Sequence, residues 1–426
     1  MSDHSEKTVS AAIDLKEFKR GWRIIVLALI GVATSAAVMP LYGFGVMVVP
    51  LQDALGWARG DLLATATFLS FGAVFSSQLA GWMNKKYGMR PVAIVSLLLL
   101  PLAFLAMSQV DKLGDSVWIL YLLFFLTTFA GIGTLQVTWT QLVNLWFDEN
   151  RGLALAMILS GSGIAGLILP PAITAVVDYW NWRAGFVFLA LIPLVITLPL
   201  TLRWFAAVPE RVRVALGTDD PAAGGEALIP GIPFAEGIRS RRYWTINISM
   251  VLVASAIIIM VINTVPLLRD KGYSAVEAGR MFSAFGISLV MGRVFVGYLV
   301  DRLWAPGVAF VALFLPAVGC FILLLDVNIY LVIVGIMLVG IGAGAEFDIA
   351  AFLVARYFGM RDYSRLFGLQ MGVISGGICL APTLAAYLYE TSTSYDIVLN
   401  VNMTLFVVGS LMLLTLGRYP RLSASG

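Results

Sequence analysis

Residues 283–302 read SAFGISLVMGRVFVGYLVDR. The stretch is apolar for about three helical turns. It then places Arg293 inside the apolar run, eight residues before Asp301. An α-helix rises about 1.5 Å per residue, so Arg293 lies roughly 12 Å inside the end of the segment. That depth approaches the middle of a bilayer core about 30 Å thick. A guanidinium there costs at least about 2.5–3.5 kcal/mol on insertion scales. Such a charge persists when it faces a water-filled cavity, a counter-charge or an anionic ligand. Two readings follow: Arg293 is the electrostatic contact for a small organic anion crossing the membrane, or half of a structural ion pair in a helix bundle.

Composition places the segment in context. The chain has 426 residues, 60% of them hydrophobic and 12% charged, with mean hydropathy +0.90. Soluble domains carry about 25% charge, so an all-α, polytopic membrane protein is expected. A net charge of +3 is too small to suggest nucleic acid as a partner. Cys320 and Cys379 both fall in apolar spans and offer neither a disulfide framework nor metal spacing. The sole histidine, His4, lies in the polar N-terminal tail, which excludes a histidine proton relay or a nucleophile–histidine pair inside the membrane. No phosphate-binding GxxxxGK[ST] occurs. No metal, cofactor or enzymatic chemistry is expected. The first apolar run, from near Trp22, is too long for a signal-peptide core and reads as a retained span.

Twelve apolar segments can be counted, at about 22–50, 60–82, 91–109, 117–146, 151–177, 184–204, 243–268, 276–300, 306–325, 329–357, 364–389 and 395–416. The one long polar interruption contains PERVRVALGTDDPAAGGE and ends in FAEGIRSRRYW, which suits a linker closed by a short surface helix. The expected organisation is an N-terminal six-helix bundle at 1–204, a linker at 205–242 and a C-terminal six-helix bundle at 243–426. Lys and Arg concentrate in the tails, the linker and the even-numbered turns, so both termini should face the cytoplasm. Short tails suit a bacterial inner membrane, and a monomer is expected.

The two halves echo each other. Val49-Pro50-Leu51 with Gly56-Trp57 returns as Val265-Pro266-Leu267 with Gly272-Tyr273, and Gly81 returns as Gly297, all at one offset. A second echo pairs Leu142-Val143 and Trp146-Phe147 with Leu353-Val354 and Tyr357-Phe358. A parallel repeat of six helices puts the binding site between the halves near the midplane.

These residues carry a resemblance. Gly21-Trp22-Arg23, FGVMVVPLQDALGW at 44–57, GWMNKKYGMRP at 81–91, GRVFVGYLVDR at 292–302 and GAEFDIAAFLVARYFG at 344–359 resemble the major facilitator superfamily. Within it, the chain is similar to the branch of monocarboxylate transporters and oxalate/formate antiporters. The resemblance implies proton-linked or exchange transport of carboxylates, with a span-eight arginine touching substrate, the place of Arg293. It also implies conformational motifs in the turns after spans two and eight, here Gly81, Asn84, Lys85 and Arg90, and Gly297, Asp301 and Arg302. The chain departs from the pattern in three places. Asn84-Lys85-Lys86 lacks the usual acid, Leu289 stands where animal relatives often carry an aspartate, and Gly43-Phe44-Gly45 stands where many carry a span-one lysine.

Glu346 and Asp348 sit in span ten after Gly340, Gly342 and Gly344. Glu346 is ten residues from Arg356, about 15 Å deep and near the level of Arg293. An anion displacing a carboxylate from Arg293 would leave that carboxylate to take a proton, which couples protons to substrate. Residues two apart point about 200° apart on a helix, so Glu346 is assigned to coupling and Asp348 to a structural pair with Arg302 or Arg356. The glycines of span ten break it or let it pack closely. Further candidates for the substrate pocket are Tyr42 and Phe44 in span one, Trp139 in span four, Asn263 in span seven and Gln370 in span eleven. Gln136, Thr138, Thr140 and Gln141 around Trp139 serve equally as interhelical hydrogen-bond partners. Gly161-Ser162-Gly163 and Gly376-Gly377 read as close helix approaches.

The leading expectation is a secondary active carrier of monocarboxylates, aromatic acids included, with proton symport by alternating access. Proton-independent exchange or efflux is the alternative, and a non-transporting membrane receptor the alternative of another class.

Overall fold

The computed structural model describes residues 15–205, 230–325, 327–392 and 394–420. Among these the structure is helical with no strand; one isolated bridge pairs Gly231 with Gly359. Twelve spans cross in sequence. Span one is Leu15–Ala33 with Val38–Leu55, span two Thr65–Tyr87, span three Met89–Met107, and span four Val117–Ala130 with Gln136–Trp146. Span five is Arg151–Tyr179, and span six runs from Trp182 to Trp204. Spans seven to twelve are Arg241–Asp270, Ala275–Arg302, Ala305–Leu324, Ile329–Phe358, Tyr363–Ser392 and Tyr395–Leu414. Eleven of these runs are long and apolar enough to cross a bilayer, span one counted through its break as Lys16–Leu55; span four needs both of its pieces.

The breaks in spans one and four were not foreseen. Thr34 and Ser35 turn their hydroxyls onto the backbone, Thr34 Oγ1 donating to the Ile30 carbonyl at 2.9 Å and Ser35 Oγ accepting from the Val38 N–H at 3.3 Å. Such local bonds compete with the helix ladder. The freed Ala36 N–H is satisfied by Thr134 Oγ1 at 3.1 Å, from the 3₁₀ turn Ile132–Thr134 that interrupts span four. Thr34 Oγ1 also lies 2.7 Å from Thr197 Oγ1, in the π-helical turn Pro193–Thr197 of span six. Three irregular turns thus satisfy one another inside the first half, as backbone at membrane depth requires. Span ten, by contrast, is continuous: its glycines serve close packing, not a break.

The halves meet along two seams. Span two lies on span eleven, where a β-carbon at Gly81 would come 2.1 Å from the Ser364 carbonyl oxygen and one at Gly368 2.4 Å from that of Ser77. Span five lies on span eight, where a β-carbon at Gly152 would come 2.5 Å from the Gly297 carbonyl oxygen. Only glycine permits backbones this close. These contacts run from the end that carries Leu15, Pro420 and the segment leading into span seven to about the middle of span two. Toward the other end the halves part: β-carbons on Gly45, Gly163, Gly286 and Gly376, from spans one, five, eight and eleven, would meet nothing within 4 Å. The result is a cleft closed at the terminal end and open at the opposite one.

The segment from Pro230 is strapped to the turn between spans ten and eleven. Ile232 N–H donates to the Phe358 carbonyl at 2.8 Å, and Met360 N–H to the Pro230 carbonyl at 3.0 Å. The short surface helix expected in FAEGIRSRRYW is Phe234–Gly237. PERVRVALGTDDPAAGGE lies outside the described residues.

Candidate functional site

Arg293 lies at the floor of the cleft, 5% exposed. Span ten is pressed against span eight there, because a β-carbon at Gly344 would come 2.0 Å from the Leu289 carbonyl oxygen. That closeness brings the Gly344 carbonyl to Arg293 Nε at 3.1 Å. The terminal nitrogen Nη1 crosses to the other half. It donates to the Leu159 carbonyl of span five and lies 3.5 Å from Ser162 Oγ, which itself donates to Leu159 at 2.8 Å. One guanidinium therefore ties spans eight, ten and five together.

Two carboxylates share this cation. Asp348 Oδ1 stands 3.7 Å from Arg293 Nε, with both side chains almost fully enclosed. Glu346 is within electrostatic reach of Arg293 and Asp348, and its Oε2 has no hydrogen-bond partner. The pairing of Asp348 with Arg302 or Arg356 is thus corrected to Arg293. Arg302 folds back over the Tyr298 ring at 3.7 Å, and Arg356 lies 5.1 Å from the Tyr419 ring centroid, both at the closed end. Asp348 is eight residues deeper than Arg356, about 12 Å, and cannot reach them.

Tyr42 is the aromatic candidate that reaches the cleft. It is 36% exposed, sits in the field of Arg293 and rests its ring on Gly166 of span five. The other pocket candidates stand elsewhere. Phe44 is enclosed in the first half, its ring 4.7 Å from Phe124 and 6.4 Å from Phe186. Trp139 is fully buried, covers Gly31 and donates from Nε1 to the Thr134 carbonyl at 2.9 Å, which fastens the broken span four. Asn263 donates to the Ile259 carbonyl of its own helix at 2.8 Å. Gln370 is wholly enclosed, two residues from both Gly368 and Gly372, whose face meets span two, so it points away from the seam.

Four of the seven conformational residues, Gly81, Lys85, Gly297 and Asp301, form the seams. Asp301 reaches from the second half to the start of span five, accepting the N–H groups of Gly152 at 2.7 Å and Leu153 at 3.0 Å. A carboxylate at a helix N-terminus meets both unpaired donors and the positive end of the helix dipole. The first half, lacking the matching acid, reverses the polarity. Lys85 donates to the Arg361 carbonyl at 3.1 Å and lies 3.8 Å from Asp362. Asp362 also accepts the Phe234 N–H of the strap at 3.0 Å. Asn84 and Arg90 act inside the first half, bonding Thr138 Oγ1 and the Leu202 carbonyl at 2.9 Å each.

Sequence reasoning missed Glu17, whose carboxylate accepts the N–H groups of Asp148 and Asn150 at 3.1 Å each, just before span five. It also read Ser162 only as part of a close approach. Gly161 does make one, since a β-carbon there would come 2.2 Å from the Leu29 carbonyl oxygen, but Ser162 turns toward Arg293.

Residues 25–327 match the family model of the Major Facilitator Superfamily, and the chain belongs to that superfamily. It is similar to monocarboxylate transporter 13 of Bos taurus, 25% identical over 407 residues that cover 95% of this chain and 91% of the relative. Among solved structures it is similar to the Escherichia coli fucose:proton symporter, at TM-score 0.69 and 14% identity, covering 93% of this chain and 99% of that one. It is also similar to a bacterial homologue of the iron transporter ferroportin, at TM-score 0.70 and 14% identity, covering 93% and 98%. The resemblance read from the sequence holds, and so does the twelve-helix fold. The protein is a multi-pass membrane transporter of small molecules, not an enzyme.

Proposed function

We propose that the protein carries small carboxylates by alternating access in symport with protons, both termini lying in the cytoplasm of a bacterial cell. On this reading the closed end is cytoplasmic and the cleft faces outward. The observation that carries the proposal is Arg293: a buried cation at the cleft floor whose hydrogen bonds join the two halves. A carboxylate arriving from the open end is drawn to the guanidinium, whose planar fork matches two carboxylate oxygens. To take Nη1 it must displace the Leu159 carbonyl. Displacement frees span five from span eight at that level, so occupancy of the site loosens the seam that must open next.

Charge balance supplies the proton. One cation already faces two carboxylates, and an arriving anion adds a third negative charge in a region poor in water. Stranded charges of one sign in such surroundings are costly. Glu346 Oε2 and both Asp348 oxygens lack hydrogen-bond partners, and of the two acids Asp348 is the one paired with Arg293; Glu346 therefore takes the proton and restores the balance, while Asp348 holds Arg293 in place through the cycle.

The test is uptake of a panel of labelled carboxylates into proteoliposomes, with and without an imposed proton gradient. Symport requires uptake to rise with the gradient. Indifference to it leaves exchange as the mode, and failure of every acid removes the carboxylate assignment.

A further inference from the structure

Gly166 has no place among the charged groups of the site, yet it lies in line with them. Leu159, Ser162 and Gly166 fall at spacings of three and four on span five, so they share one face. The first two touch Arg293. Gly166 is one turn further toward the open end, about 6 Å along the helix axis. The Tyr42 ring lies flat on this position: a β-carbon at Gly166 would come 3.0 Å from Cε1, 3.2 Å from Cδ1 and 3.3 Å from Cζ. The far side of that ring is the open cleft, since Tyr42 is 36% exposed.

We infer that Gly166 sets the size of substrate tail the site accepts, by letting the Tyr42 ring lie back against span five. The inference rests on the carboxylate reading and deepens it. An acid bound through its carboxylate to Arg293, with its chain toward the open end, carries its outer carbons past Tyr42 and Gly166. A β-carbon at 166 moves the ring by a few tenths of an ångström, and the larger side chain of valine pushes it off span five. Tyr42 belongs to the continuous helix Val38–Leu55, so its backbone holds and the ring swings into the cleft. The space lost is space for the tail, and the carboxylate end is untouched. The substrate class this implies is a monocarboxylate with a bulky apolar tail, aryl acids included.

Acetate and phenylacetate uptake should be compared in wild type, Gly166→Ala and Gly166→Val at matched abundance in the membrane. One methylene of space in an apolar pocket changes discrimination by about 10–200-fold. Phenylacetate kcat/KM is therefore expected to fall about threefold or more in Gly166→Ala and about tenfold or more in Gly166→Val, where whole methyl groups enter the space, while acetate stays within about twofold. Adding Tyr42→Leu to Gly166→Ala should bring phenylacetate back, because the ring that was displaced is gone. If Gly166→Val does not reach the membrane, Gly166→Ala and the double variant carry the test. Equal losses for both acids, no loss for either, or no recovery in the double variant overturns the inference. If wild type moves neither acid, the comparison uses the smallest and the bulkiest acid of the panel that it does move; if it moves no acid of the panel, the carboxylate reading itself fails and this one falls with it.

Discussion

Asp301→Asn removes a charge and one of two hydrogen bonds across the seam between spans five and eight. The carboxylate accepts Gly152 N–H at 2.7 Å and Leu153 N–H at 3.0 Å. A hydrogen bond to a charged group contributes about 1.5–3 kcal/mol, and the dipole at a helix N-terminus adds about 0.3–1 kcal/mol. The amide keeps one acceptor oxygen, so the expected loss is about 2 kcal/mol. That is about a 30-fold shift of the seam toward its open form. A cysteine at Val300 reports it. Val300 is 3% exposed, and its side chain packs where a β-carbon of Gly152 would stand. With Cys320→Ala and Cys379→Ser as background, a membrane-impermeant thiol reagent labels Val300→Cys in proportion to the open fraction when opening is fast. The rate should rise about 30-fold in Asp301→Asn, and more in Asp301→Ala. A change below about threefold in both variants would refute the assignment of Asp301 as the clasp of this seam.

Three other perturbations address the site. Arg293→Ala should lower carboxylate transport by more than about tenfold while the protein still reaches the membrane, and Arg293→Lys should also impair it because the bidentate fork is lost; loss of the folded protein instead would favour a structural role. Glu346→Gln should keep exchange of labelled for unlabelled acid yet lose the response to a proton gradient, and a retained response would move coupling to another group. Lys85→Glu sets like charges near Asp362, a partly exposed pair worth about 0.2–1 kcal/mol. Labelling of a cysteine in the span two–eleven seam should therefore rise a few-fold and return toward wild type when Asp362→Lys is added.

The spans and their pairing into halves were legible because a bilayer imposes long apolar runs and because the motifs from Val49 to Gly81 return at one offset. Arg293 stood out for the same reason: charge at that depth is expensive. The partners of Arg293 were less legible. Asp348 could be placed at the right depth but not on the right side, because a long guanidinium reaches round a helix pressed close by Gly344. Two of its acceptors, at Gly344 and Leu159, are main-chain carbonyls, which no side-chain pattern announces. Trp139 and Phe44 misled because a large aromatic lines a pocket or fills a core with the same sequence signature. The broken helices of spans one and four escaped notice because Thr34, Ser35 and Thr134 satisfy one another across elements distant in sequence.

The two polar clasps at the closed end are unequal when they let go. Both hydrogen bonds to Asp301 are donated by span five, so parting the halves leaves that carboxylate with the charge of the neighbouring Arg302 and with two hydrogen bonds for water to replace. Asp362 gives up only Lys85; the Phe234 N–H and Arg365, 3.9 Å away, belong to its own side and travel with it. One hinge side yields with its acid still sheltered, the other only when water can replace what is withdrawn. Separation is therefore easiest from the span two–eleven edge inward, with the Asp301 edge following as solvent arrives.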